Sequence, residues 1–302
     1  MFKDEFMAKL SRNAIIGYPA GIITGITYGL NPLFAKPLMN AGASTDAILF
    51  FRYGIAVLLL GAYLLMKKES FKISLRQAGV LLALGLLYTT SSTFLFEAYK
   101  YIASGLATTL VFLFPAMVAI IMVFLKVVPS WPVWLSIAAT FAGVMIMTGG
   151  GGSEAVDPVG VWFSIASAFA YALFIVIINR SKEISSISNS VLTFYALSVG
   201  TLVFLTKCSL SGTELTAGLD GGMAWINLTG LALLPTIVST ATLAIATRNI
   251  GATKASVLGV FEPITAILVG TLVFGEALTP NIIIGILISV VAVTFMIMVT
   301  KR

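Results

Sequence analysis

The chain has 302 residues, of which 59% are hydrophobic and 10% are charged, and its mean hydropathy is +1.04. Soluble proteins carry roughly 25% charged residues, so this composition excludes an ordinary soluble domain and predicts a polytopic membrane protein. The net charge of +6 does not indicate nucleic-acid binding, because the sequence contains no run of five or more basic residues.

Ten apolar runs follow one another along the chain, each near the roughly 20 residues that cross the hydrocarbon core of a bilayer as a helix. With the polar breaks as boundaries, the predicted spans are 13–38, 47–66, 75–99, 104–125, 131–148, 158–179, 189–206, 223–246, 252–274 and 281–299. No small-x-small cleavage site follows the short charged start, so we expect the first run to remain as a helix. The predicted fold class is an all-α integral membrane protein with ten transmembrane helices.

The basic residues predict the orientation of these spans. With both termini in the cytoplasm, every Lys and Arg falls in a cytoplasmic segment except Lys36, Arg52, Lys100 and Lys207. Because cytoplasmic loops carry an excess of Lys and Arg, we expect cytoplasmic N- and C-termini.

The second half of the chain repeats the first. Three pairs of residues lie 148 positions apart, namely Lys100 with Arg248, Pro115 with Pro263, and Pro132 with Pro280. Nearer the start of each half the spacing is 143, as for Gly17 with Gly160, Tyr28 with Tyr171, and Phe51 with Phe194. We interpret the pattern as two five-helix repeats at 13–148 and 158–299, joined by a linker at 149–157. Because five is an odd number, the second repeat enters the membrane inverted.

Polar side chains recur on one face of four predicted spans, although an apolar helix needs none of them to insert. The faces comprise Thr24, Tyr28 and Asn31; Thr89, Thr93 and Glu97, beside Tyr88 and Ser92; Thr236, Thr240 and Thr247; and Ser256, Gly259 and Glu262. Two interpretations stay open for the Ser and Thr positions, which either pack helices closely or line a cavity. For Tyr28 and Asn31 we favour a cavity.

Glu262 is a carboxylic acid at about the middle of the ninth span, next to Pro263. An acidic residue at that depth costs roughly 2.5 to 3.5 kcal/mol on insertion scales, so it needs a reason. A functional interpretation makes it a contact for a substrate amine, a proton-coupling site, or both. A structural interpretation makes it a permanently protonated or internally paired group that holds helices together.

Arg52 lies six residues into the second span and admits two interpretations. It either sits in a cavity and attracts a carboxylate, or snorkels to the outer interface, which is the interpretation we favour. Near the outer face, Glu97 and Glu276 lie close in depth to Lys36 and Lys100, and we favour solvated interfacial charges over gate ion pairs.

Several chemistries lack the residues they need. The chain has no His and one cysteine, Cys208, so we predict no metal site, disulfide framework or catalytic residue. The segment from Gly251 to Ser256 lacks the spacing of a phosphate-binding loop, so we expect no cofactor and no ATP-driven pump. The protein is therefore not expected to be an enzyme, with a carboxylate-only membrane enzyme or a receptor or scaffold as the alternatives.

The duplicated stretch resembles the drug/metabolite transporter superfamily, EamA type. The resemblance rests on the segments AYKYIASGLATTLVFLFPAMVAI, ATRNIGATKASVLGVFEPITAIL and FFRYGIA, and on GEALTP at 275–280. It covers almost the whole chain. In the first half, Leu125, Lys126 and Val127 stand where the family has a Gly-Glu pair, so no charge role carries over there.

The resemblance implies a secondary-type transporter that works by alternating access through a central cavity built mainly from spans 1, 3, 4, 6, 8 and 9. It implies export of amino acids or related small metabolites, a multi-pass bacterial inner (plasma) membrane location, and membrane lipid and a small solute as partners, with no nucleic acid. Predicted cavity residues are Tyr28, Asn31, Tyr88, Ser92, Pro115, Tyr171, Thr240 and Glu262. Pro115 and Pro263 would let symmetry-related helices bend.

Overall fold

The structure, a computed structural model, describes residues 12–102, 104–148, 157–274 and 280–299. Within these ranges every regular element is a helix and no strand is present. By length and composition, six helices could each cross a membrane: Thr45–Met66, Leu75–Tyr101, Pro158–Arg180, Asn189–Ser211, Gly222–Ile250 and Ala252–Val273. Two shorter apolar helices are Phe114–Phe124 and Ile283–Met296. The chain is thus an all-helical multi-pass membrane protein.

The helices begin and end close to the predicted spans. They are α1 (Arg12–Tyr28), α2 (Asn31–Asn40), α3 (Thr45–Met66), α4 (Leu75–Tyr101), α5 (Ser104–Val111), α6 (Phe114–Phe124), α7 (Trp131–Thr148), α8 (Pro158–Arg180), α9 (Asn189–Ser211), α10 (Gly222–Ala232), α11 (Ser239–Ile250), α12 (Ala252–Val257), α13 (Phe261–Phe274) and α14 (Pro280–Val299). Polar caps fix several starts: the Ser44 hydroxyl accepts from the Ala47 amide, and Ser74 forms a capping box with Gln77.

Four of the predicted spans are interrupted helices. The first breaks between α1 and α2, just before Pro32, and the fourth breaks between α5 and α6, just before Pro115. In the eighth, a π-helical turn at Leu233–Val238 joins α10 to α11, and in the ninth a 3-10 turn at Leu258–Val260 joins α12 to α13. Each break lies beside a proline, which removes a backbone donor and clashes with the preceding turn. Regular α-helical hydrogen bonding is therefore interrupted in these four spans.

The packing of helices has a pattern that is preserved when the two halves are exchanged. Helix α4 packs on α8, and its counterpart α11 packs on α1. Helix α6 packs on α8, and its counterpart α13 packs on α1, while α3 pairs with α9 and α7 pairs with α14. This pattern is the arrangement expected of two related halves.

A ridge of glycines along α1 brings it close to the ninth span. A Cβ atom at Gly25 would lie 2.8 Å from the Phe261 Cβ and 3.0 Å from the Leu258 carbonyl oxygen. At Gly29 it would lie 2.5 Å from the Glu262 carbonyl oxygen. Small residues at helix interfaces allow backbones to approach closely in membranes. Because these glycines have no side chain, the backbone of Glu262 packs directly against α1.

The connections lie on two opposite faces. On one face, segment 67–74 contacts segment 181–188, with the Ser188 hydroxyl donating to Glu69 at 2.5 Å. On the other, Lys207 in α9 pairs with Asp46 in α3 at 2.5 Å. The predicted linker at 149–157, except Asp157, lies outside the described residues, as do Glu276 with the rest of 275–279 and both chain ends.

Candidate functional site

The eight predicted cavity residues all lie in the buried centre of the bundle. They are Tyr28 in α1, Asn31 in α2, Tyr88 and Ser92 in α4, Pro115 in α6, Tyr171 in α8, Thr240 in α11 and Glu262 in α13. None of the seven besides Pro115 exposes more than 8% of its surface. The described conformation is therefore closed around these residues. A cavity of about 240 Å³ is lined by Pro115 and Trp134 but by none of the other seven residues, and another of about 280 Å³ lies at Glu69 and Ser188.

A continuous series of aromatic rings crosses the centre. Tyr28 stacks on Tyr171 with centroids 5.8 Å apart and planes inclined by 15°, so residues at equivalent positions of the two halves face each other. Tyr171 stacks on Phe174 at 6.2 Å, Phe174 contacts Tyr88 at 5.3 Å, and Tyr88 stacks on Tyr53 at 5.6 Å. Stacked and tilted rings at these distances attract one another beyond their area of burial. The contacts between these rings join helices α1, α8, α4 and α3 at the centre of the bundle.

Arg52 is part of this centre, so the expectation that it snorkels to the interface is wrong. Its side chain is fully buried. The guanidinium Nε donates to Thr236 Oγ1 at 2.6 Å, and Nη2 donates to the Pro235 carbonyl oxygen at 3.2 Å. Both acceptors lie in the π-helical turn, which places an extra accessible carbonyl next to α3. Hydropathy predicts how deep Arg52 lies in the membrane, but it does not predict which side of α3 packs against the other helices.

Aromatic rings enclose the Arg52 guanidinium. Its central carbon lies 5.7 Å from the Tyr53 ring centroid, 5.9 Å from Phe96 and 6.0 Å from Tyr28. These distances are at the outer limit of cation–π attraction. The Nη1 nitrogen is buried and has no hydrogen-bond partner in the part of the chain that the structure describes.

Glu262 begins the last part of the ninth span directly after the 3-10 turn and is 6% exposed. It interacts electrostatically with Tyr28, Tyr99 and Tyr171. Its carboxyl group has no hydrogen bond or ion pair with any described residue. Internal pairing of Glu262 is thus absent among the described residues, whereas a permanently protonated group and the functional interpretation both fit this geometry.

Some, but not all, of the other polar side chains at the centre have partners for all their hydrogen-bonding groups. Tyr53 and Ser92 share a hydroxyl–hydroxyl hydrogen bond of 2.6 Å. Thr240 donates to the Thr236 carbonyl oxygen at 2.6 Å and lies 3.4 Å from the Tyr88 hydroxyl. Asn31 donates through Nδ2 to the Tyr28 carbonyl oxygen at 2.9 Å, which leaves its buried Oδ1 without a partner. Hydroxyls that bond within helices are therefore mixed with groups that have unused capacity.

The two prolines at equivalent positions follow equivalent breaks. Pro115 comes directly after the break between α5 and α6, and Pro263 comes shortly after the 3-10 turn. Phe114 precedes the first and packs edge-on against Tyr171 at 5.0 Å, whereas Glu262 precedes the second. The same position of the two halves thus holds an aromatic ring in one and a carboxylic acid in the other.

Sequence reasoning missed three residues of the centre: Tyr53, Phe96 and the site role of Thr236. Thr236 lies 148 positions after Tyr88, so the repeat contained a signal for it. Of the predicted interfacial charges, Glu97 pairs with Lys100 of its own helix at 2.7 Å on a partly exposed surface. No group of three His, Cys, Asp or Glu residues that could hold a metal occurs among the described residues.

Comparisons with known proteins show the family of the chain and a solved structure with a similar fold. The model of the EamA-like transporter family matches residues 15–149 and 158–298. A curated relative, an "Uncharacterized transporter" from Archaeoglobus fulgidus, is 29% identical over 126 residues. That match covers 42% of this chain and 43% of the relative, so the chain spans less than half the length of the relative. A solved structure described as "Crystal structure of protein" superposes with a TM-score of 0.75 at 15% identity, covering 94% of this chain and 98% of that chain.

Proposed function

Because the chain belongs to the EamA-like transporter family and is thus a membrane transporter, we propose that it exports amino acids or related small metabolites by alternating access. The transporter is of the secondary type and lies in a bacterial inner membrane. Its ten helices form two inverted repeats, 13–148 and 158–299, with cytoplasmic termini. The solute occupies a central cavity bounded by Tyr28, Asn31, Tyr88, Ser92, Pro115, Tyr171, Thr240 and Glu262.

One observation carries this proposal: Tyr28 and Tyr171, at equivalent positions of the two halves, stack on each other at the closed centre. Two related halves that meet at such a centre have two related ways to open, one toward each side of the membrane. The matched breaks at Pro115 and Pro263 supply helices that bend in each half.

Glu262 is the proposed site of proton coupling. A carboxyl group buried among aromatic rings exchanges its proton when its surroundings open to water. Opening of the ninth span at the 3-10 turn would change those surroundings. A proton taken up on one side would then be released on the other.

The test is efflux of a labelled amino-acid mixture from proteoliposomes that contain the purified full chain, with and without a pH gradient. Selective efflux that the gradient accelerates supports proton-coupled export, and selective efflux indifferent to the gradient supports facilitated diffusion without a role for Glu262. Absence of efflux of every solute from folded protein contradicts the proposed cargo.

A further inference from the structure

Arg52 is a cation in the middle of the bundle with no counter-ion. Its guanidinium is always charged in proteins, and the side chain is fully buried. The described ion pairs are Lys100 with Glu97 and Lys207 with Asp46, neither of which involves Arg52. An unpaired charge is strongly disfavoured in a protein interior, so this arrangement calls for a partner that the chain does not supply.

The guanidinium is held in a fixed position with one edge unused. Its Nε and Nη2 atoms are occupied by Thr236 and the Pro235 carbonyl. Nη1 carries two N–H donors and has no described partner. The rings of Tyr28, Tyr53 and Phe96 attract the positive charge through their faces, but a ring face leaves the in-plane N–H donors without acceptors. A charged N–H donor that is held in place without an acceptor is what an oxyanion binds.

Glu262 does not fill this role. Tyr28 interacts electrostatically with both Arg52 and Glu262, yet the two form no ion pair. The charge is not part of the repeated scaffold either. The residue 143 positions after Arg52 is Tyr195, which donates to the Phe71 carbonyl at 2.6 Å in segment 67–74. The cation is therefore a feature of one half, at the centre of the molecule.

We propose that Nη1 of Arg52 binds the carboxylate group of the transported solute, so that a carboxylate is a required feature of the cargo. This inference rests on the proposed function and specifies its chemistry. The carboxylate supplies the missing counter-ion, while the rings of Tyr28 and Tyr53 cover the adjacent apolar part of the solute. A cation without a carboxylate is rejected, because it would meet the charge of Arg52 with no compensation.

The test compares amino acids with the matching amino-acid amides, which keep the side chain and the amine and lose the carboxylate. In proteoliposomes of the full wild-type chain we expect the acids to be transported about tenfold or more faster than the amides, since a lost charged hydrogen bond has that effect. In Arg52→Gln the ratio should fall to about one, and in Arg52→Lys the acids should stay preferred at a lower rate. Arg180→Gln, at an exposed residue of the same type, is the matched control and should keep the wild-type ratio.

Thermal unfolding in detergent gives a second readout that does not depend on flux. A ligand that binds the folded state raises its unfolding temperature, so the acids should raise that of the wild type and not that of Arg52→Gln. Without ligand, Arg52→Gln should unfold no lower than the wild type, because it removes a buried unpaired charge. A purely structural role for Arg52 predicts the reverse. Should Arg52→Gln fail to fold, that structural role is supported, and loss of the acid preference in Arg52→Lys would complete the case against the proposal.

The outcomes separate the two proposals. Equal transport of acids and amides by the wild type, or an unchanged ratio in Arg52→Gln, overturns the role of Arg52 and leaves transport standing. If the wild type moves no solute, the proposed cargo is contradicted and the unfolding measurement alone decides whether Arg52 binds a carboxylate. Absence of any difference between acids and amides there overturns the inference.

Discussion

At the scale of single residues, Glu262 and Arg52 are the two acidic or basic side chains that are buried among the described residues, and they form no ion pair with each other. Each of them interacts electrostatically with Tyr28. Each retains hydrogen-bonding capacity within the described part of the chain. In an interior where polar groups are normally paired, this unused capacity is the reason that both residues are proposed to act on a proton or a solute.

Glu262→Gln should abolish the response of transport to a pH gradient while the protein remains folded. The amide has nearly the shape of the acid but carries no exchangeable charge, so coupling is lost and binding geometry is kept. Efflux at several pH values, with and without the gradient, measures this. Glu214→Gln changes an exposed carboxylate and should leave the response intact. Equal acceleration in Glu262→Gln and wild type would remove Glu262 from the mechanism.

Thr236→Val should lower the free energy of unfolding, because it leaves Arg52 Nε without its acceptor. Thr236 Oγ1 accepts from Nε at 2.6 Å and donates to the Leu231 carbonyl at 2.7 Å. A buried donor left unpaired costs about 1–3 kcal/mol. Thr236→Ser keeps the hydroxyl and should unfold close to wild type. If the Val and Ser variants unfold alike in detergent, the hydroxyl does not hold Arg52.

At the scale of helices, close approach between α1 and the ninth span depends on the absence of side chains at the glycine ridge. Gly25→Ala should destabilise the protein by about 1–3 kcal/mol, the usual cost of overpacking, because its Cβ would lie 3.0 Å from the Leu258 carbonyl. The neighbour is backbone and cannot rotate away.

Gly79→Ala is the matched control. Gly79 is an exposed helical glycine in α4, and a Cβ there would meet no atom within 4 Å. Alanine should therefore stabilise this position by about 0.5–1 kcal/mol through helix propensity. Thermal unfolding in the same detergent compares the two variants. A Gly25→Ala protein as stable as Gly79→Ala would show that the ridge is not tightly packed.

The sequence predicted the helices well and their interruptions less well. Span boundaries followed from length and hydropathy, so that α7 agrees with the predicted 131–148. Proline positions marked the breaks at Pro115 and Pro263. The π-helical turn at Leu233–Val238 was not predicted, although it contains Pro235, and its hydrogen bonds to Arg52 are tertiary contacts that no local pattern contains. The same limit explains Arg52, since its orientation depends on the partner helices of α3.

At the scale of the whole molecule, the two faces are tied unequally. On the face of 181–188, Arg248 donates to the Ile187 carbonyl at 2.7 Å and to the Ile184 carbonyl at 3.0 Å, which joins α11 to the segment between α8 and α9. Its equivalent in the first half, Lys100, bonds within its own helix to Glu97. Under the proposed alternating access, this difference predicts that Arg248 helps to keep the face of 181–188 closed.

Arg248→Gln should therefore open the face of 181–188. A reporter is Thr247→Cys, which replaces a fully buried hydroxyl without a partner, in a Cys208→Ala background that removes the natural cysteine. With Arg248 present, the reporter should be unreactive toward a charged thiol reagent. With Arg248→Gln it should react several-fold faster, because the opening free energy falls when two charge-assisted hydrogen bonds, each worth roughly 1.5–3 kcal/mol, are weakened. Lys100→Gln should leave the reporter protected, since Lys100 ties no second element to its helix. Equal reactivity in all three backgrounds would mean that the face of 181–188 is closed by its apolar packing and not by Arg248.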